Sequence, residues 1–200
     1  LPKSLSHCQI VLYFHENQFA YPVQCESERD YQFGFTNITS ALAADHVWFN
    51  SRYNLESFAD QAESFIQRMP DCLPENIGER IKKPSIVMPL GLDVPETYIN
   101  LKNHQKDRTT PPTIVWNHRW EHDKNPELFF NTLFKIHQAG IDFHLIILGE
   151  SFKNKPPIFD VAQEKLHNNI IHCGYAPSRT TYYKFLTESD VIVSTALHEF

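Results

Sequence analysis

The chain has 200 residues, 42% hydrophobic and 13% aromatic, enough to fill the core of one good-sized domain or two small ones. Its formal net charge of -6 argues against a sequence-blind grip on a phosphate backbone by the chain as a whole, so a nucleic-acid partner would need a local basic patch. The longest apolar runs, such as Phe143 to Leu148, fall far short of the roughly 20 residues a membrane-spanning helix needs, so no membrane partner is expected.

Ile10 to Phe14 is a short apolar run bounded by polar residues, as in a buried parallel strand, and it ends in His15, Glu16 and Asn17. Arg29 to Ala44 follows with helical spacing of Phe33, Ile38, Ala41 and Leu42. Val47 to Phe49 predicts a second strand. Asn50 and Ser51 offer caps for a helix through Leu55, Phe58, Phe65 and Ile66, which Pro70 and Pro74 end. Ser85 to Met88 supplies a third strand before Pro89, Gly91 and Asp93 turn the chain.

Residues 94–112 are polar, with a block from Lys102 to Arg108 and prolines at the far end, and read as an interdomain linker between domains at 1–93 and 113–200. The alternation then resumes. Strands are expected at Thr113 to Asn117, Phe143 to Leu148, Ile170 to Cys173 and Val191 to Ser194, with helices at about Pro126 to Gln138, Phe159 to Leu166 and Arg179 to Thr187. The fold class is therefore α/β, with doubly wound parallel sheets in two Rossmann-like domains. The chain opens on Leu1 without a visible targeting signal, and Phe200 directly follows a strand-like run, so both ends read as cut. Cys8, Cys25, Cys72 and Cys173 are scattered, without metal or disulfide spacing, which fits a reducing, cytoplasmic setting.

In an open parallel sheet, ligands bind beyond the carboxyl ends of the strands. Three clusters stand there: His15 with Glu16 and Asn17, Asn117 to Lys124, and Thr195 to Phe200. Arg119 and Lys124 lie between a strand end and a helix opened by Asn125 and Pro126. A guanidinium fork, an ammonium and a helix amino terminus near one spot suit a diphosphate, although two solvated surface cations would show the same spacing. His15 beside Glu16 offers acid and base chemistry near neutrality, or a plain hydrogen-bonding residue. His198 and Glu199 could bind sugar hydroxyls or cap the next helix. His118 and His122 have the i, i+4 spacing of zinc ligands, but in a loop and in the wrong order for the zinc-protease motif, so no metal is expected. The six glycines form neither GxGxxG nor a Walker sequence, which argues against a nicotinamide dehydrogenase or a P-loop nucleotidase.

Together these clusters resemble the retaining glycosyltransferases of family 4, which have two facing Rossmann domains, the GT-B fold. Arg119-Trp120-Glu121-His122-Asp123-Lys124 is similar to the family's diphosphate-binding pattern, Phe143 to Glu150 to its nucleotide-side strand, and Ser189 to Phe200 to the entry of its paired-glutamate motif. Within that family, Tyr13-Phe14-His15-Glu16-Asn17-Gln18, Phe49-Asn50-Ser51, Trp116 to Lys124 and His198-Glu199-Phe200 resemble the tRNA-queuosine alpha-mannosyltransferases.

The resemblance implies transfer of mannose from GDP-mannose, with retention, to the queuosine base of a tRNA anticodon, with the nucleotide sugar as donor and no separate cofactor. It implies that His15 and Glu199 are catalytic, His15 lying by the donor sugar across the cleft. Asn117, Arg119, Lys124, Glu150, His198 and Glu199 would bind the donor, and Glu16 and Asn17 would stand on the acceptor side. Glu199 would be the first of two glutamates, the second lying beyond Phe200. Three rivals stay open: a lipid or glycan acceptor, a nucleotide- or tRNA-binding module without turnover, and a metal-dependent hydrolase using His118 and His122.

Overall fold

A computed structural model describes residues 7–21, 23, 30–71, 74–99, 109–151 and 155–199. The chain divides into two compact units, one comprising residues 1–92 with His198–Phe200 and the other Asp93–Leu197.

The first unit runs β1 (Val11–Phe14), α1 (Tyr31–Ala43), β2 (His46–Phe49), α2 (Arg52–Ile66), α3 (Ile77–Lys82) and β3 (Ser85–Val87). Its three strands are parallel, in the order β1-β2-β3, with Phe14 opposite Phe49 and Phe49 opposite Val87. The helices start where side chains supply acceptors for the first free N–H groups: Asp30 accepts from Gln32 N at 2.8 Å, and Ser51 accepts from Asn54 N at 3.0 Å. Phe14, Phe49 and Phe58 pack at centroid distances of 5.0 to 5.9 Å, and Ile38, Ala41, Ala62, Ile77 and Ile81 close the core around them.

Two features of this unit differ from the sequence reading. In α1 the buried side is Gly34, Ile38 and Ala41, while Phe33 is 59% exposed. The reason lies at Gly34, where a Cβ would come within 2.6 Å of the Phe19 ring; the helix turns its smallest residue inward so that Phe19 can lie against it. The short helix α3 was not expected. Its first turn is held from outside, by the Glu63 carboxylate of α2 accepting from Gly78 N at 2.9 Å, a cap invisible to any local pattern.

The second unit runs α4 (Glu96–Ile99), β4 (Thr113–Asn117), α5 (Pro126–Gln138), β5 (His144–Leu148), α6 (Ile158–Lys165), β6 (Ile170–Gly174), α7 (Arg179–Glu188) and β7 (Val191–Val193). Its four strands are parallel, in the order β6-β5-β4-β7. One face buries Trp116, Leu145 and Ile147 under Phe129, Phe130, Leu133 and Phe159 of α5 and α6; the other buries Val115, Ile146 and Leu148 under Tyr182, Phe185 and Leu186 of α7. Helices on both faces explain why β5 is apolar at successive positions rather than alternating. Asn125, in the left-handed conformation at φ 49°, starts α5 by accepting from Leu128 N, with Pro126 at the first helical position.

Of the expected linker, residues 100–108 lie outside the described residues. Glu96–Ile99 forms a single helical turn, and Tyr98 stacks on Tyr183 of α7 at 5.0 Å. Among the expected cysteine thiols, Cys8 and Cys173 are free, and Cys25 and Cys72 lie outside the described residues.

Candidate functional site

In the second unit the carboxyl ends of β4, β5 and β6 and the start of α7 surround a cavity of about 440 Å³. Asn117 lies at the end of β4, Leu148 and Gly149 at the end of β5, Tyr175 and Ala176 just after β6, and Ser178, Arg179 and Tyr182 at the start of α7. The Asn117 amide donates to the Tyr182 hydroxyl at 2.8 Å, so the strand tip and the helix are joined across the cavity wall. Tyr175 is 73% exposed, leaving a ring face open beside the cavity. The mixture of aromatic rings, a few fixed polar groups and a helix amino terminus suits a nucleoside with attached phosphate.

The loop after β4 carries the two expected cations. Trp120 anchors it: its ring stacks on Phe159 at 4.4 Å, its backbone N–H donates to the Glu150 carbonyl at 3.0 Å, and its indole N–H reaches the Leu148 carbonyl at 3.4 Å. Gly149 makes this close approach geometrically allowed. It sits at φ +106°, and a Cβ there would lie 2.0 Å from the His118 carbonyl oxygen.

Downstream, His122–Lys124 forms one turn of 3-10 helix. Thr195, past the end of β7, accepts from the Trp116 indole at 3.0 Å and donates to the Lys124 carbonyl at 2.8 Å, while Leu197 N donates to the Asp123 carbonyl at 2.8 Å. The cation-bearing loop is thus fastened to three strand ends. Lys124 Nζ lies 3.1 Å from the Asp123 carboxylate, and Arg119 lies 3.6 Å from Glu121. Asp123 is 4% exposed, and its other carboxylate oxygen is buried without a hydrogen-bond partner. Sequence reading gave Asp123 no role, since nothing in its spacing shows that it points inward.

Beside the cavity, Arg179 donates to the Asp93 carbonyl, lies 3.5 Å from the Asp93 carboxylate and stands over the Tyr183 ring. Its pKa is raised, chiefly by its hydrogen bond with the Tyr183 hydroxyl. Cys173 on β6 has its thiol pKa pushed up by burial, against the opposing effects of Gln163 and Lys155. Neither Arg179 nor Tyr182 stood out in the sequence; only the turn that follows β6 brings them to the cavity.

In the first unit His15 and Glu16 are exposed just past the end of β1, with the His15 ring edge-on to Tyr13 at 4.7 Å. Asn17 is different. Expected on the acceptor side, it is fully buried, with its amide bonded to Asn54 Oδ1 at 2.9 Å, to Ser57 Oγ at 3.2 Å and to Ala20 N at 2.9 Å, so its side chain serves the loop rather than a ligand. Asn117 lines the cavity, Arg119 and Lys124 share the loop beside it, and Glu150 is exposed and meets that loop through its carbonyl. Glu199 is exposed, and the Tyr53 hydroxyl lies 3.0 Å from His198 Nδ1. Among the described residues no group of three or more His, Cys, Asp or Glu side chains could hold a metal ion, and no helix is long and apolar enough to cross a membrane.

Residues 1–92 match the family described as tRNA-queuosine alpha-mannosyltransferase, N-terminal. Over those residues the chain is similar to that family. It is 39% identical over 206 aligned residues to the tRNA-queuosine alpha-mannosyltransferase of Drosophila melanogaster, an alignment covering all of this chain and 54% of the fly protein. The chain therefore spans about half the length of that relative.

Solved structures agree on the fold. TarM superposes with a TM-score of 0.62 at 16% identity, over 96% of this chain and 32% of TarM. A glycosyltransferase from Rickettsia africae gives 0.54 at 17%, over 93% of this chain and 45% of its own. The E. coli trehalose-6-phosphate protein with bound UDP-2-fluoro glucose gives 0.57 at 14%, over 96% and 48%. These are GT-B glycosyltransferases, and the paired parallel sheets here have that fold.

Proposed function

We propose that the full-length protein transfers mannose from GDP-mannose to the queuosine base of a tRNA anticodon, with retention of anomeric configuration. The observation that carries this reading is the 39% identity, along the whole chain, to a protein bearing that name. The geometry of the second unit supports the donor half. Its cavity offers ring faces and fixed polar groups for a nucleoside, and the neighbouring loop offers Arg119 and Lys124 for the diphosphate.

In this reading Arg119 and Lys124 neutralise the charge that develops on the leaving nucleoside diphosphate, the largest electrostatic demand of the reaction. A preorganised donor at such a position contributes about 3 kcal/mol. Asn117 and Glu150 hold the nucleoside side, His198 and Glu199 hold the sugar hydroxyls, and His15 supplies an imidazole to the reacting sugar, with Glu16 toward the acceptor. Asn17 holds the loop that carries His15 and Glu16. In this reading the protein's setting is cytoplasmic.

The test uses full-length protein carrying Arg119→Ala, Lys124→Ala or His118→Ala. Each cation variant should lose about a hundredfold in transfer rate, and His118→Ala much less. Equal activity in all three variants contradicts the assignment of the phosphate grip.

A further inference from the structure

The residues that follow β1, His15 to Ala20, are shaped by a chain of amides. Past the end of β2, Asn50 N donates to the Phe14 carbonyl at 3.2 Å, and its side-chain Nδ2 donates to the His15 carbonyl at 2.8 Å. That leaves Asn50 Oδ1 to accept from Asn54 Nδ2 at 2.9 Å. Asn54 Nδ2 also reaches the Phe14 carbonyl at 3.2 Å, which leaves Asn54 Oδ1 to accept from Asn17 Nδ2 at 2.9 Å. Asn17 Oδ1 then accepts from Ala20 N at 2.9 Å.

The polarity of the series is self-determining. It starts at a carbonyl that can only accept and ends at an N–H that can only donate, so no amide can be flipped without breaking a neighbour's bond. Asn54 and Asn17 are both fully buried beside an aromatic core. Asparagine is a poor residue in a helix such as α2, and a buried amide is costly unless satisfied, so apolar residues would serve packing alone better. What the amides supply is a fixed backbone path for residues that have no strand or helix of their own.

We infer that Asn50, backed by Asn54, is a positioning residue for His15, fixing the imidazole through its backbone carbonyl. This rests on the proposed role of His15 in transfer. Asn50 is the informative site because its side chain touches the His15 backbone at one end and joins the buried network at the other.

Full-length Asn50→Ala and Asn50→Asp, the latter similar in shape but unable to donate to the His15 carbonyl, are compared with His15→Ala and with the double variant Asn50→Ala, His15→Ala. The readouts are kcat, KM for GDP-mannose and the thermal midpoint. Both Asn50 variants should lose about tenfold or more in kcat, as misplacement of a reacting group does, with KM within about twofold because the donor's contacts are untouched. In the His15→Ala background, Asn50→Ala should add little. A wild-type kcat in both Asn50 variants, or a kcat loss that persists undiminished without His15, overturns the inference while leaving the proposed function standing. Full activity of His15→Ala overturns both the role of His15 and the positioning of it.

Discussion

Gly149→Ala tests how tightly the two strand tips beside the cavity are drawn together. Two effects add. The residue sits at φ +106°, where an L side chain is strained by about 1–3 kcal/mol. The new Cβ would also start 2.0 Å from the His118 carbonyl oxygen, which belongs to backbone and cannot swing aside. Reaching an ordinary carbon-to-oxygen contact requires a retreat of roughly 1.3 Å or more, at the point where Trp120 N, Trp120 Nε1 and the Glu150 and Leu148 carbonyls already fasten the loop.

Together the strain and the displacement should cost about 3 kcal/mol or more, a drop of roughly 10 °C in the unfolding of a domain of this size. Gly140→Ala is the control, because Gly140 has φ +73° but nothing within 4 Å of its Cβ, so only strain remains, about 1 kcal/mol. Scanning calorimetry of both variants, with GDP titrated by isothermal calorimetry, separates the two contributions. Gly149→Ala should melt well below Gly140→Ala and bind GDP more weakly. Equal melting of the two variants refutes the close approach of the β5 tip to the His118 backbone.

Two further outcomes follow from the same unit. Asn125 holds the left-handed conformation at φ 49° and caps α5, so Asn125→Ala loses both and should destabilise by about 1–2 kcal/mol, whereas Asn125→Gly should cost only a few tenths, measured by urea unfolding. Burial raises the Cys173 thiol pKa, so its reactive thiolate appears only at higher pH; iodoacetamide should label the exposed Cys8 faster than Cys173 at neutral pH, and the Cys173 rate should climb further as pH rises.

Much of the fold was legible because its signals are local. The apolar run at β5, the Ser51 cap of α2 and the Asn125-Pro126 start of α5 all place elements from neighbouring residues alone. α3 was not legible because its cap comes from Glu63, on another helix. Phe33 faces outward against its helical spacing because the deciding contact, Phe19 against Gly34, joins a loop to a helix face.

The candidate site divides in the same way. That Arg119 and Lys124 follow a strand is visible in the sequence; that Lys124 lies against a nearly buried Asp123 is not. Asn17 read as a strand-tip polar residue and so as a ligand contact, yet it turns inward, because an asparagine that satisfies an amide series and one that meets a substrate carry the same letter. Tyr182 and Arg179 lie some sixty residues from Asn117 in the chain, so only the sheet order brings the three to the same cavity.

The most direct measurement incubates the full-length protein with GDP-mannose and queuosine-containing tRNA and reads the modified base by mass spectrometry. The proposed function predicts one added hexose on queuosine, absent when the donor is withheld. An unmodified base, with the protein folded and GDP-mannose intact or consumed on some other acceptor, contradicts it.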